Sequence, residues 1–225
     1  MNTNNYAARV AGLMFLTLIA VRLISIGIFD FNVLPENLSD TLISIANNPT
    51  WIYISFFFLL IGHLGAIVLA VTLYLTLKSY DKNLALLAMS FRFAEAVISL
   101  AGDGKLLDLI DVSKAYAKAQ PSDSAHFLNT AELLFISFVN AEIGGIGAIT
   151  FAVGSFWFSY LFFRSRYVPI FISILGMIAS LLVVIAIFVG ITTVGFGNII
   201  MLIWMILMVS ELSYGFWLSV KGVQN

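Results

Sequence analysis

The sequence contains no cysteine, only four prolines and few charged residues. Without cysteine, the chain cannot form disulfides, thiolate metal sites, covalent haem attachments or a cysteine nucleophile. Charged residues make up 10% of the 225 positions, whereas about a quarter of the residues in a soluble domain are charged. The chain therefore lacks the charged surface that a water-soluble fold of this length needs.

Apolar residues dominate the composition instead. They make up 61% of the chain, and the mean hydropathy is +1.03, so we expect a lipid bilayer to be the solvent. The net charge is −1 and no long basic run occurs, which argues against a nucleic-acid partner. The sequence also predicts no cofactor and no metal site, because His63 and scattered glutamates form no tight motif such as H-E-x-x-H.

Six apolar segments are long enough to cross a bilayer as helices. A helix of about twenty apolar residues spans the hydrocarbon core and bonds its own backbone groups. We interpret the first segment as a retained helix rather than a signal peptide, since no cleavage pattern closes it before Asp30. The sequence therefore predicts an all-α integral membrane bundle of about six transmembrane helices in a single domain, residues 1–225, with spans at about 8–29, 52–77, 84–101, 130–163, 168–189 and 199–220.

The distribution of lysine and arginine predicts the orientation. Six such residues fall on one side of the predicted bundle and three on the other, where aspartates including Asp103 accompany them. Because positive residues near span ends stay on the cytoplasmic side, we expect both termini to be cytoplasmic in a cell membrane. The six are Arg9, Lys78, Lys82, Arg164, Arg166 and Lys221, and the three are Lys105, Lys114 and Lys118.

The third and fourth predicted spans are expected to continue beyond the membrane. An approximate helical period of apolar residues persists from Leu106 to about Ala119 among charged residues. Pro121 ends this helix, and Ser122 or Ser124 is a candidate cap of the next one, which leads into the fourth span. The pattern predicts an extracytoplasmic helical hairpin, with a loosely ordered loop as the alternative.

Ionisable residues interrupt the apolar segments. An unpaired charge at the centre of a membrane helix costs roughly 2.5 to 3.5 kcal/mol, so these side chains should face protein or water. In the third span, Arg92 and Glu95 share a stripe of small and polar residues with Ser99. Five helices offer polar groups to one interior, and the predicted ligand or proton site consists of Arg22, His63, Arg92, Glu95, Glu142 and Glu211.

Three functions fit this set of residues. Intramembrane ionisable residues usually mark a pathway or a ligand site, so transport or sensing of a small solute is the first hypothesis. An intramembrane enzyme would use Glu142 or Glu211 as a base beside His63. A structural or partner-binding subunit would use the charges as ion pairs that fix helix register. The substrate, the coupling ion and the oligomeric state stay open.

Four short segments carry a family resemblance. They are Ala8-Arg9-Val10-Ala11-Gly12, then Phe91-Arg92-Phe93-Ala94-Glu95-Ala96, then Arg166-Tyr167-Val168-Pro169 leading to Gly176, and an ending with Glu211, Trp217-Leu218 and Lys221-Gly222. Together they resemble an uncharacterised family of bacterial multi-pass membrane proteins, domain of unknown function 4386. The resemblance implies six helices in a bacterial cell membrane but no activity, and Arg22 and His63 lie outside the matching segments.

Overall fold

The computed structural model describes residues 3–32, 37–192 and 197–223. This part of the chain forms eight α-helices and one π-helical turn and contains no strand. Six of the helices are long and apolar enough to cross a membrane, which confirms the predicted all-α membrane bundle. The elements are α1 (Thr3–Asn32), α2 (Leu38–Asn47), α3 (Thr50–Leu77), α4 (Lys82–Tyr116), α5 (Ser124–Val139), the π-helical turn (Asn140–Gly144), α6 (Ile146–Ser165), α7 (Ile170–Thr192) and α8 (Gly197–Val220).

The six long helices pack side by side in a ring. Each contacts its two neighbours, in the order α1, α3, α4, α6, α7, α8 and back to α1. We call the end of the ring that holds the start of α1 and the end of α8 the termini end. The opposite end, to which α2 and α5 belong, is the hairpin end.

Helix α4 is one continuous helix of 35 residues. It is about 50 Å long at 1.5 Å per residue, whereas the hydrocarbon core is about 30 Å thick. At its start Asp81 accepts a hydrogen bond from the Leu84 backbone nitrogen at 3.0 Å. At its other end it extends beyond the ring and packs against α5. The chain thus forms the helical hairpin expected between the third and fourth spans.

The predicted fourth span, 130–163, is interrupted. Helix α5 ends at Val139, the π-helical turn follows, and Gly145 opens α6 with an extended backbone. A Cβ at Gly145 would overlap the Asn140 carbonyl oxygen, so glycine is what permits this tight turn. Of the two helices in this run, α6 is therefore the one that belongs to the ring, from Ile146 to Ser165. Helix α5 belongs to the hairpin.

A short amphipathic helix, α2, occupies the connection between the first two long helices. Asn37 caps it by accepting a hydrogen bond from the Asp40 backbone nitrogen at 2.8 Å. Leu42 and Ile45 on its apolar face are buried in a cluster shared with α3, α4 and α5. The hairpin end therefore has a small apolar core of its own.

The termini end of the ring is tightly packed. A Cβ at Gly12 of α1 would overlap the backbone of Leu218 and Ser219 in α8, so the two helices meet at backbone contact. The rings of Phe15 and Tyr214 stack beside this contact with centroids 6.0 Å apart. Buried apolar residues from all six long helices join in one cluster here.

Candidate functional site

A cavity of about 310 Å³ lies inside the ring, between its middle and the hairpin end. This volume is at the lower end of the range for small-molecule sites, roughly 300 to 1,000 Å³. Most of the wall is apolar, as is usual for such sites. Ionisable side chains from four helices complete the wall, and they are Arg22, His63, Arg92, Glu95 and Glu211.

The cavity thus brings together five of the six predicted site residues. The sixth, Glu142, belongs to the π-helical turn, and its backbone adjoins the lining residue Ile143. The Glu142 side chain lies outside the side chains that the structure describes. That these residues form a ligand or proton site stays a prediction.

Arg92 lies at the floor of the cavity and is only 4% exposed. Its Nε is 3.8 Å from Oε2 of Glu95, one turn along α4. Its Nη1 donates a hydrogen bond to Ser155 Oγ on α6 at 3.4 Å. The guanidinium carbon is 4.0 Å from the centroid of the Phe151 ring, which is within cation–π range. These contacts fix the guanidinium group between α4 and α6.

Gly154 on α6 provides the space for this arginine. A Cβ at Gly154 would lie 2.8 Å from Arg92 Cγ and 3.1 Å from the Ala88 carbonyl oxygen. Nonbonded carbon atoms prefer separations of about 3.5 to 4.0 Å, so a larger residue would displace the arginine stem. The small residue therefore lets the two helices bury a charged side chain between them.

A second cavity of about 20 Å³ adjoins the first. Arg92 and Glu211 line both cavities, whereas Ser155 and Tyr214 line the smaller one. A cavity of this size has room for about one water molecule. Arg92 and Glu211 thus form the border between a ligand-sized space and a water-sized one.

His63 and Asp103 form a second buried polar pair, between α3 and α4. Nε2 of His63 is 2.9 Å from Oδ2 of Asp103, and both side chains are buried. His63 also lines the large cavity. Because a carboxylate partner fixes the orientation of an imidazole, Asp103 sets how His63 is presented to the cavity.

The sequence grouped Asp103 with the aspartates beyond the third predicted span and did not include it in the site, whereas the structure buries it in α4 beside His63. The predicted third span ended at Ala101, and its helix was expected to continue to about Ala119. In the structure α4 runs to Tyr116, and the face that carries the polar stripe stays buried for another turn past Ala101. Asp103 lies four residues beyond Ser99 and hence on that face. Continuing the polar stripe of α4 by four residues beyond Ser99 would have identified Asp103 from the sequence.

Sequence reasoning also missed Trp204 on α8. Its Nε1 donates a hydrogen bond to the Ile143 carbonyl oxygen at 3.2 Å. That carbonyl belongs to the π-helical turn, where the regular helical ladder is interrupted. The indole ring packs on Phe151, with centroids 5.4 Å apart. This contact joins α8 to the side of the cavity that holds Arg92, and no sequence motif marks it.

A profile described as "Domain of unknown function (DUF4386)" matches residues 10–222. The chain belongs to this family. The match confirms the resemblance carried by the short segments and contains all of the lining residues of the cavity. No curated protein and no solved structure matches the chain. Family membership and the six apolar helices together identify a multi-pass membrane protein.

The side chains of this DUF4386 cavity suit a polar organic ligand. Guanidinium groups only donate hydrogen bonds, ionised carboxylates only accept them, and both are present in the wall. Among the side chains that the structure describes, no group of three or more His, Asp or Glu is arranged to hold a metal ion. The wall thus offers hydrogen-bond donors, hydrogen-bond acceptors and charged groups, with apolar surface around them.

Proposed function

We propose that this membrane protein binds a small molecule in the central cavity and that binding serves transport or sensing. The observation that carries the proposal is a ligand-sized space beside Arg22, Arg92, Glu95 and Glu211. A network that only fixed helix register would be stabilised by close packing around its charges, because desolvated charges need partners on every side. Here the charges border open volume that a ligand can fill.

The binding test uses a glycine in the cavity wall. A Cβ at Gly62 of α3 would meet only one described atom within 4 Å, Cγ1 of Val21 at 3.9 Å, so Gly62→Leu should fill the cavity without a clash. The matched control is Gly104→Leu on α4, where a Cβ would meet no described atom within 4 Å and which lies outside the cavity wall. Both variants make the same change in a helix.

Native mass spectrometry of protein extracted in mild detergent gives the readout. We expect the parent and Gly104→Leu to retain a small molecule that Gly62→Leu loses. A panel of amines, carboxylates and neutral amphiphiles, added singly, should contain compounds that raise the Tm of the parent and not of Gly62→Leu. Absence of any retained molecule, together with a Tm that no compound raises, would contradict the proposal.

We further propose that the protein resides in the cell membrane with its hairpin end outside the cytoplasm. The support is the excess of positive residues at the termini end, including Arg9, Lys82 and Arg164. Because the chain has no cysteine, single cysteines can be labelled without background. In intact cells, cysteine at Lys82 or Arg164 should resist an impermeant thiol reagent, whereas cysteine at Asp40 or Ser122 should react. The reverse pattern would contradict the orientation.

A further inference from the structure

Three residues that line the cavity are also exposed on the outside of the ring. Leu23 on α1 is 54% exposed, and Met201 and Met205 on α8 are 62% and 58% exposed. The remaining lining residues are buried or half-buried. The cavity therefore reaches the outer surface of the ring between α1 and α8.

This opening lies within the apolar part of both helices. Leu23 belongs to the candidate span Asn5–Ser25, and Met201 and Met205 belong to the candidate span Ile199–Val220. Residues in such spans are surrounded by lipid wherever they face away from the protein. The opening therefore faces lipid chains.

The same two helices are closed against each other at the termini end. A Cβ at Gly215 would lie 2.8 Å from Cδ2 of Leu16 and 3.2 Å from Cβ of Phe15, so α8 presses directly onto α1 there. Towards the hairpin end both helices become walls of the cavity instead. The seam between α1 and α8 is shut at one end and open at the other.

Methionine forms the α8 side of the opening. Of the seven methionines in the chain, three line the cavity, and they follow one face of α8 at steps of four and three residues: Met201, Met205 and Met208. Methionine is unbranched and polarisable, so it adapts to apolar ligands of variable shape. Such a wall suits a flexible hydrocarbon chain.

The formal charges of the described lining residues balance. Arg22 and Arg92 carry two positive charges, Glu95 and Glu211 carry two negative charges, and His63 is paired with Asp103 behind the wall. A charged head group would add an uncompensated charge to a site of low dielectric constant, at a high cost in free energy. An uncharged head group that both donates and accepts hydrogen bonds can be bound by guanidinium and carboxylate together.

From these observations we propose that a ligand enters the cavity sideways from the bilayer, between α1 and α8, and is a single-chain amphiphile with an uncharged hydrogen-bonding head group. The head group meets Arg92 and Glu211 at the floor, and the chain lies along the methionines and leads out to the lipid. This inference rests on the proposed function of the same cavity.

The test uses the full chain in liposomes and two photoactivatable probes. A diazirine-bearing hexadecanol partitions into the bilayer, and a diazirine-bearing butanol stays largely in water. After irradiation, peptide mass spectrometry compares two sides of α4. Glu95 and Ser99 are buried and line the cavity, whereas Phe93 and Val97 are exposed on the outside of the same helix. Labelling of Glu95 and Ser99 therefore reports a probe inside the cavity.

Adjacent residues of α8 provide a variant and its matched control. Met201→Trp narrows the opening, whereas Leu202→Trp adds the same ring at a neighbouring residue that is 58% exposed and lies outside the cavity wall. We expect Met201→Trp to slow labelling of Glu95 and Ser99 by the hexadecanol probe by about tenfold. Leu202→Trp should label like the parent. If Met201→Trp does not fold, Leu23→Trp narrows the same opening from α1.

The outcomes separate the two proposals. Cavity labelling by the butanol probe alone would mean access from water, which overturns the lateral entrance and leaves the ligand cavity standing. Equal labelling rates in the parent, Met201→Trp and Leu202→Trp would also overturn the lateral entrance. Labelling of Phe93 and Val97 without Glu95 and Ser99, by either probe, would overturn both proposals. Unlabelled hexadecanol should compete with the probe, and stronger competition by hexadecanoate or hexadecylamine would overturn the uncharged head group.

Discussion

The two ends of the helix ring use the space between α1 and α8 in opposite ways. At the termini end, Gly12 brings the two backbones into contact and the rings of Phe15 and Tyr214 fill the space beside them. Towards the hairpin end the same helices enclose a cavity of about 310 Å³ with ionisable side chains in its wall. Close packing at one end and open volume at the other point to separate roles for the two ends.

The residues between the packed end and the cavity explain how one helix ring contains both. Arg92 and Glu211 line the large cavity and the water-sized one behind it, and Phe15 and Leu207 do the same. On the far side of this border, apolar residues from all six long helices are packed together. The packed end stabilises the helix ring, so the other end can keep charges beside unfilled volume at a tolerable cost in stability.

Removing the charge of Arg92 should have the largest effect. Arg92→Met leaves Glu95 and Glu211 without their shared cation in a buried site, so we expect the free energy of unfolding in detergent to fall by roughly 3 to 5 kcal/mol. Denaturant titration followed by tryptophan fluorescence measures it.

Two further variants sharpen this result. Adding Glu95→Gln to Arg92→Met should restore part of the stability, because one buried negative charge that has lost the Arg92 cation is removed. Arg164→Met, at an exposed arginine of the termini end, should change stability little. If Arg92→Met alone proves as stable as the parent, the hypothesis of a buried charge network around Arg92 is wrong, and Arg92 faces a wide aqueous space.

The same substitution at two glycines tests the comparison directly. Gly12→Ala puts a Cβ into the backbone of α8, and such overpacking should lower the free energy of unfolding by up to about 3 kcal/mol. Gly62→Ala puts a Cβ beside the cavity, where Val21 is 3.9 Å away. There, alanine should raise stability by about 0.5 to 1 kcal/mol, because glycine is entropically unfavourable inside a helix. Equal effects from the two changes would mean that the ends are packed alike.

Much of this architecture could be predicted from the sequence, because lipid imposes simple rules. Span length and hydropathy sufficed for the six long helices, since a membrane helix must satisfy its own backbone. The cost of charge in lipid predicted that Arg92, Glu95 and Glu211 face a common interior, and they line one cavity. Pro121 and the period before it were enough to predict the hairpin between α4 and α5.

Other features depend on packing between distant segments and left no clear signal. The run 130–163 is apolar on both sides of Gly145, so hydropathy does not show where α5 stops and α6 starts. Asp103 looked like one of several loop aspartates, and only the burial of an extra turn of α4 against α3 distinguishes it. The cavity itself is the space that side chains from six elements fail to fill, which no local pattern records.

The His63–Asp103 pair tests whether polar contacts in the cavity wall contribute to stability. Asp103→Ala would leave the buried imidazole without the carboxylate 2.9 Å away, and losing such a buried polar contact costs about 2 kcal/mol. Asp103→Asn is the matched control, since it keeps a polar group of the same shape beside the imidazole. Unfolding in detergent should rank the parent above Asp103→Asn and Asp103→Ala last. Equal stability of all three would show that this pair contributes nothing to the wall.

A smaller loss of stability is expected at the outer cap of the hairpin end, away from the cavity. Asn37 accepts a hydrogen bond from the Asp40 backbone nitrogen at 2.8 Å, and its Nδ2 donates one to Asp40 Oδ2 at 2.6 Å. Asn37→Ala removes both, and loss of a helix cap typically costs about 1 kcal/mol. Asn47→Ala, at the exposed far end of α2, is the matched control.

Ligand retention distinguishes this cap from the cavity. The described wall of the cavity includes no residue of α2, so Asn37→Ala should unfold at a lower denaturant concentration than Asn47→Ala while retaining as much ligand as the parent. If Asn37→Ala lost its ligand at a denaturant concentration at which it is still folded, α2 would control the cavity. Helix α2 would then have to be counted as part of the ligand site.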